Sequence, residues 1–258
     1  MSKHRLGFFA ALFTALAAAP AAHAAYFEDG TWSTTDDDSW TREYYGDGVN
    51  DWSGTGNSNL AFCNAGVENI ADQLFTQGYA YRFSTDADAW ETDFTVGGQE
   101  NDYGDAADYA YISTHGSPDL VAFNGSAGDD ELTASETYWN LDLDVIALDA
   151  CRVLEIWSGA RTSYGNRHLN AGLHYVMGFD SDANDIITTA ENYAFYLTQG
   201  YTHRGAWRQA TSDGHESDRG GAYIRYSSSS CDTLNETLTS HACDPVWNST
   251  YVDVGWTL

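Results

Sequence analysis

Apolar runs alternate with polar stretches along this chain, and their spacing predicts the elements. In "NAGVENIADQLFTQGY", Val67, Ile70, Ala71, Leu74 and Phe75 recur at helical spacing on one face, and Gly78 is a natural stop. "ADYAYIST" is rich in aromatic and β-branched residues and predicts a strand over Tyr109–Thr114 that ends at His115-Gly116. "LDLDVIALDAC" predicts a strand centred on Val145–Leu148, and "GLHYVMGF", Gly172–Phe179, another. Such near-continuous apolar runs fit burial on both faces of a parallel sheet. "AENYAFYLTQG" and "THRGAWRQAT" read as helices broken at Gly200, and "AYIRY", Ala222–Tyr226, as the last strand. The stretch before Leu60, rich in Gly, Asp, Trp and Tyr, reads as a strand near "AYF" followed by long turns.

Strands alternating with helices predict an α/β fold, a three-layer α/β/α sandwich around a mostly parallel sheet. No internal repeat and no linker divides it. The expected organisation is one unit over 25–230 with a loop-rich beginning, and a C-terminal extension over 231–258. Residues 1–24 read as an export signal. Lys3, His4 and Arg5 make a basic start, Leu6–Ala19 is apolar, and Ala22-His23-Ala24 is a small-x-small cleavage site. The apolar run is too short to span a bilayer, so a secreted or periplasmic protein is expected, with no membrane after cleavage.

Charge narrows the partners. The chain has 38 acidic against 11 basic residues, a formal net charge of −27, and Lys3 is its only lysine. Such a surface repels nucleic acid and anionic membranes. Abundant aspartate with almost no lysine suggests a halophilic source, where salt screens the self-repulsion. Four cysteines in an exported chain suggest disulfides. Cys231 and Cys243, close together in "CDTLNETLTSHAC", are the best pair, and Cys63 with Cys151 is a second possible one.

The chemistry concentrates where two predicted strands end, one in His115 and the other in Cys151. In a parallel sheet both ends reach the same edge, which is where open α/β sheets build their sites. A thiolate is a nucleophile, and an adjacent imidazole takes its proton and later protonates a leaving amine. Gly116 lets a substrate approach the backbone, and the N–H groups of Gly116 and Cys151 form a candidate oxyanion hole. A strand ending in His-Gly, followed by four apolar residues (Val145-Ile146-Ala147-Leu148), Asp149 and then Ala150-Cys151, resembles the caspase-like cysteine peptidases, a clan that includes caspases, legumains, gingipains and clostripains. It also resembles uncharacterised exported bacterial proteins of that fold. The resemblance covers roughly residues 65–225. It implies a six-stranded, mostly parallel sheet between helices, a His115/Cys151 dyad, a peptide or protein substrate and no required cofactor. Caspases carry Gln before Ala-Cys and Gly two residues after; here Asp149 and Val153 stand there, so specificity for Asp does not carry over. Asp149 either orients His115, attracts a basic substrate side chain, or is a solvated or capping carboxylate.

"DSDANDIITTAE" offers a competing reading. Asp180, Asp182, Asn184, Thr188 and Glu191 match calcium-loop positions, but the sixth position is Asp185 where the turn wants Gly. A capping box formed by Thr188 and Glu191 explains the same residues. His168, His174 and His203 lack zinc-site spacing, His174 reads as a core residue within a strand, and His215 and His241 fall in polar loops. Trp157 and Trp207 read as packing residues. The function expected is that of an exported cysteine endopeptidase. The alternative is a non-enzymatic binding protein on the same scaffold, with calcium as a candidate ligand.

Overall fold

The computed structural model describes residues 25–35, 42–124, 130–214 and 220–257; the export-signal reading over 1–24 and His215 lie outside the described residues. Its strands are β1 (Ala25–Asp29), β2 (Glu43–Gly48), β3 (Ala80–Thr85), β4 (Tyr109–Ser113), β5 (Gly116–Ser117), β6 (Leu120–Ala122), β7 (Glu131–Thr133), β8 (Val145–Asp149), β9 (Tyr175–Phe179), β10 (Gly220–Ser227) and β11 (Thr250–Thr257). The helices are α1 (Cys63–Phe75), α2 (Ala160–Arg167), α3 (Ile187–Thr198) and α4 (His203–Gly214).

The main sheet has eight strands in the order β1-β3-β2-β4-β8-β9-β10-β11. Five central strands, β3, β2, β4, β8 and β9, run parallel, while β1, β10 and β11 pair antiparallel with their neighbours. The expected α/β layering is therefore present in a mixed sheet, with a six-strand body from β3 to β10 widened by β1 and β11. Two expectations are corrected. The segment before Leu60 is more than turns, because β2 lies in the middle of the sheet. "AYIRY" is not the last strand, because "TYVDVGWT" of the C-terminal segment pairs along the whole of β10.

Side chains alternate across the sheet as the pleat requires. Tyr44, Tyr109, Tyr111, Ala147 and Met177 meet Val67, Ile70, Leu74, Tyr193 and Trp207 from α1, α3 and α4 on one face. Tyr45, Ala110, Ile112, Ile146, Leu148 and Val176 meet Phe94, Trp139 and Tyr164 on the other. Trp207 is fully buried and its Nε1 donates to the Gly178 carbonyl at 3.2 Å, so it ties α4 to β9. Trp207→Ala is expected to cost about 3–5 kcal/mol, read as a lower urea midpoint at unchanged slope. Trp157, by contrast, is 93% exposed and packs nothing of the core.

Candidate active site

The parallel register of β4 and β8 brings the two reactive strand ends together. Ser113 is paired with Asp149, and beyond the ladder Thr114 N–H donates to the Asp149 carbonyl at 3.2 Å. His115 and Cys151 leave the sheet side by side and line one cleft with Leu60, Cys63, Asp149 and Asp185.

His115 is held from outside the predicted motif. Its Nε2 is 2.8 Å from the Ser58 carbonyl, and its ring packs edge-on against Trp52 with centroids 5.0 Å apart. A carbonyl only accepts, so in the neutral ring Nε2 carries the proton and Nδ1 is the basic nitrogen. The segment between β2 and α1 thus selects the tautomer. Nothing in its sequence signals this role.

Gly116 follows in β5. Ala122 N–H donates to the His115 carbonyl at 3.0 Å, which sets Gly116 and Val121 as a non-hydrogen-bonded pair. The Gly116 N–H is therefore outside this ladder. A Cβ at Gly116 would lie 2.7 Å from the Ala150 Cβ and 3.0 Å from the Cys151 and Leu120 carbonyl oxygens. Glycine is needed here because the histidine loop and the cysteine loop touch through backbone.

Cys151 is a half-buried thiol, outside any disulfide, at the start of a tight turn. Arg152 holds a left-handed φ of 57°, and its N–H donates to the Ser181 carbonyl at 2.8 Å. A side chain in that region costs roughly 1–2 kcal/mol, so the turn is held by its surroundings. Sγ accepts from the Ala183 N–H at 3.3 Å and donates to the Ala183 carbonyl at 3.5 Å, so the backbone of one residue positions the thiol.

The floor of the cleft is acidic. Asp149 accepts from the Tyr111 hydroxyl at 2.7 Å and from Ser113 Oγ at 3.5 Å. Burial, reinforced by the charge of Asp185, pushes its carboxyl up to about 7. Asp185 reaches across to the start of α1, accepting from the N–H of Ala61 and of Phe62. Cys63 is a buried free thiol, pushed well up by burial and then by the charges of Asp185, Asp149 and Asp86. Cys63 and Cys151 are not bonded to each other, while Cys231 and Cys243 form the disulfide, with Cα atoms 5.5 Å apart.

Against known proteins, the family model for a domain of unknown function, DUF6345, matches residues 33–250. The chain belongs to this family. Among solved structures this DUF6345 chain is similar to "structure of pro-sf-caspase-1", with 11% identity and a TM-score of 0.45 over 67% of this chain and 80% of that one. It is also similar to a secreted C11 cysteine protease from Bacteroides thetaiotaomicron in complex with an irreversible peptide inhibitor, with 10% identity and a TM-score of 0.45 over 72% and 66% of the two chains. None of the curated proteins matches it.

The acidic stretch after β9 serves the DUF6345 fold in other ways than the calcium pattern suggests. Asp180 Oδ1 accepts from Ile156 N–H at 2.8 Å and from Arg161 at 3.1 Å. Asn184 lines the cleft, and Glu191 lies within α3. The capping box does not form: Ile186 precedes the helix with no side-chain cap, and Thr188 falls inside the first turn. Among the described residues, the carboxylates and histidines close enough to share an ion gather elsewhere, before the starts of β2, β4, β8 and β9. His174 belongs to that set. It sits one residue before β9 rather than inside it, and it is fully buried.

Proposed function

We propose that this protein is an exported cysteine endopeptidase. The observation that carries the reading is the Cys151 thiol and the His115 imidazole on one cleft at the carboxyl ends of adjacent parallel strands. In the proposed reaction His115 Nδ1 takes the thiol proton as Sγ attacks the scissile carbonyl. The N–H groups of Gly116 and Cys151 receive the oxyanion. His115 then protonates the departing amine, and water hydrolyses the thioester to release the acid.

The acidic floor supports a preference for substrates with an arginine or lysine before the cut bond. Asp149 is the charge such a side chain would meet, next to Asp185. Only the ionised carboxylate pairs with a cation. Activity on an arginine substrate, relative to a leucine substrate, therefore rises as pH passes through about 7 and levels off above it. Asp149→Asn removes both the preference and its pH dependence, with a loss of roughly 30- to 5,000-fold on the arginine substrate, the cost of unpairing a buried charge. The same group affects stability with the opposite sign. Unfolded, Asp149 ionises near 3.8; folded, near 7. Between these values the native state binds more protons, so its contribution to stability falls as pH rises from about 4 to about 7.

The test is hydrolysis of a panel of fluorogenic peptides that differ only in the residue before the bond (Arg, Lys, Leu or Asp), read across pH 5–9. Cleavage after Arg or Lys that vanishes in Cys151→Ala supports the reading. No turnover of any peptide, by a protein whose Cys151 is reduced and accessible, sinks it.

A further inference from the structure

At the other end of the sheet, before the starts of β8 and β9, two imidazoles and three carboxylates converge. His174 Nε2 is 3.2 Å from Asp144 Oδ1 and 3.8 Å from Asp244 Oδ1. His241 Nδ1 is 3.6 Å from Asp144 Oδ2 and 3.7 Å from Glu236 Oε1. His174, Asp144 and Glu236 are buried. Among the described residues these carboxylates pair with imidazole and with no arginine.

Two observations separate this cluster from an ordinary ion-pair network. His174 Nε2 is fully buried and within reach of two carboxylate oxygens, yet makes no hydrogen bond, and both buried ring nitrogens of His241 are also without one. The Asp144 oxygen is near enough to Nε2 for a hydrogen bond but lies off its bonding direction, and the Asp244 oxygen is farther than a hydrogen bond reaches. That is how oxygens stand when they share an ion with the nitrogen. Ligands about 2.0–2.1 Å from a tetrahedral zinc ion are about 3.3–3.4 Å from one another, close to the distances around His174 Nε2. The other ring nitrogen is already engaged: Nδ1 is 2.8 Å from both oxygens of Glu236. A carboxylate on the far nitrogen fixes the tautomer and turns Nε2 inward, the usual arrangement behind a metal-bound histidine.

We propose that His174 Nε2, Asp144 and Asp244 bind a divalent transition metal, zinc first, with Glu236 orienting His174. Imidazole donors disfavour calcium, which takes oxygen ligands. Asp144 and Asp244 line a shallow recess with Leu141, Leu143, Ala171 and Gly172. Glu236 and His241 lie inside the loop closed by Cys231–Cys243, and Asp244 follows it directly. The ion would therefore clip the C-terminal segment, which carries β11, to the parallel core. The five residues span a hundred positions with no fixed spacing, which is why no zinc motif is visible in the sequence.

The test uses the purified mature chain with its disulfide intact, in a Cys151→Ser background so that the thiol cannot hold zinc. The chain is stripped with EDTA and dialysed against micromolar zinc. Elemental analysis is expected to find one zinc per chain, retained against excess calcium. Zinc should raise the thermal midpoint by about 10 °C, the shift of a ligand at roughly 1,000 times its dissociation constant. Asp244→Asn, at a partly exposed position, is expected to keep the fold by circular dichroism and to lose both the zinc and the shift. His174→Gln should do the same; if it does not fold, the Asp244 variant decides. No retained zinc, or zinc that persists in folded Asp244→Asn, overturns the proposal.

Discussion

Cys151→Ala is expected to leave a fully folded protein in which peptide hydrolysis falls by about five orders of magnitude. The side chain is half-buried at a turn and contributes little to either core, so the loss should not come with a loss of stability. His115→Ala should cost nearly as much, because a thiol without a base stays mostly protonated at neutral pH. The double variant should be no worse than either single one. Groups that act as one unit are not additive, whereas two independent packing residues would add. Steady-state rates and urea midpoints of the three variants check this. A double variant whose rate loss is the product of the single losses would contradict a shared chemical step.

Gly116→Ala tests the contact between the two loops. One methyl group would meet the Ala150 Cβ at 2.7 Å and two carbonyl oxygens at 3.0 Å, and neither backbone can yield without moving a reacting residue. Overpacking of this kind costs about 1–3 kcal/mol of stability. The larger effect is on rate. A displacement of about 1 Å between nucleophile and base costs on the order of 100-fold, and the Gly116 N–H shifts with them. The expected signature is a fall in kcat of at least that size with KM little changed, since the floor around Asp149 is untouched. A variant with wild-type kcat would show that Gly116 neither donates to the oxyanion nor sets the spacing.

The sequence made this site legible because its two halves each end an uninterrupted apolar strand, and parallel pairing does the rest. Tyr109–Ser113 and Val145–Asp149 lie in the expected places, and their register explains how a separation of 36 positions between His115 and Cys151 costs nothing in proximity. The central strand β2 was hidden by its composition. "EYYGDG" reads as a turn, yet at Gly46 a side chain would meet the Tyr44 ring and then Val67, and at Gly48 it would meet the backbone of Cys63 and Asn64 at the start of α1. Asp47 within it is fully buried, a residue no strand pattern anticipates. The same packing hid the contribution of Trp52 and Ser58, which reach His115 from the loop that follows β2. Strand β11 has no buried position, as an edge strand can, and it lies beyond a disulfide loop that draws attention to the cysteines. Calcium-loop spacing draws attention to Asp180, which accepts from Arg161; Asp185, which departs from that pattern where the turn wants Gly, accepts from the N–H of Phe62 at the start of α1.

The central claim is that His115 activates Cys151. Its most direct test is the rate of alkylation of Cys151 and of Cys63 by limiting iodoacetamide near neutral pH, followed by mass spectrometry, in the wild type and in His115→Ala. Cys63, buried beside the same cleft with its pKa pushed up, serves as the internal slow reference. The account predicts rapid labelling of Cys151 that slows sharply in the variant while Cys63 stays slow in both. Cys151 labelling that is equally slow in both proteins would contradict the dyad and favour a binding protein on this scaffold.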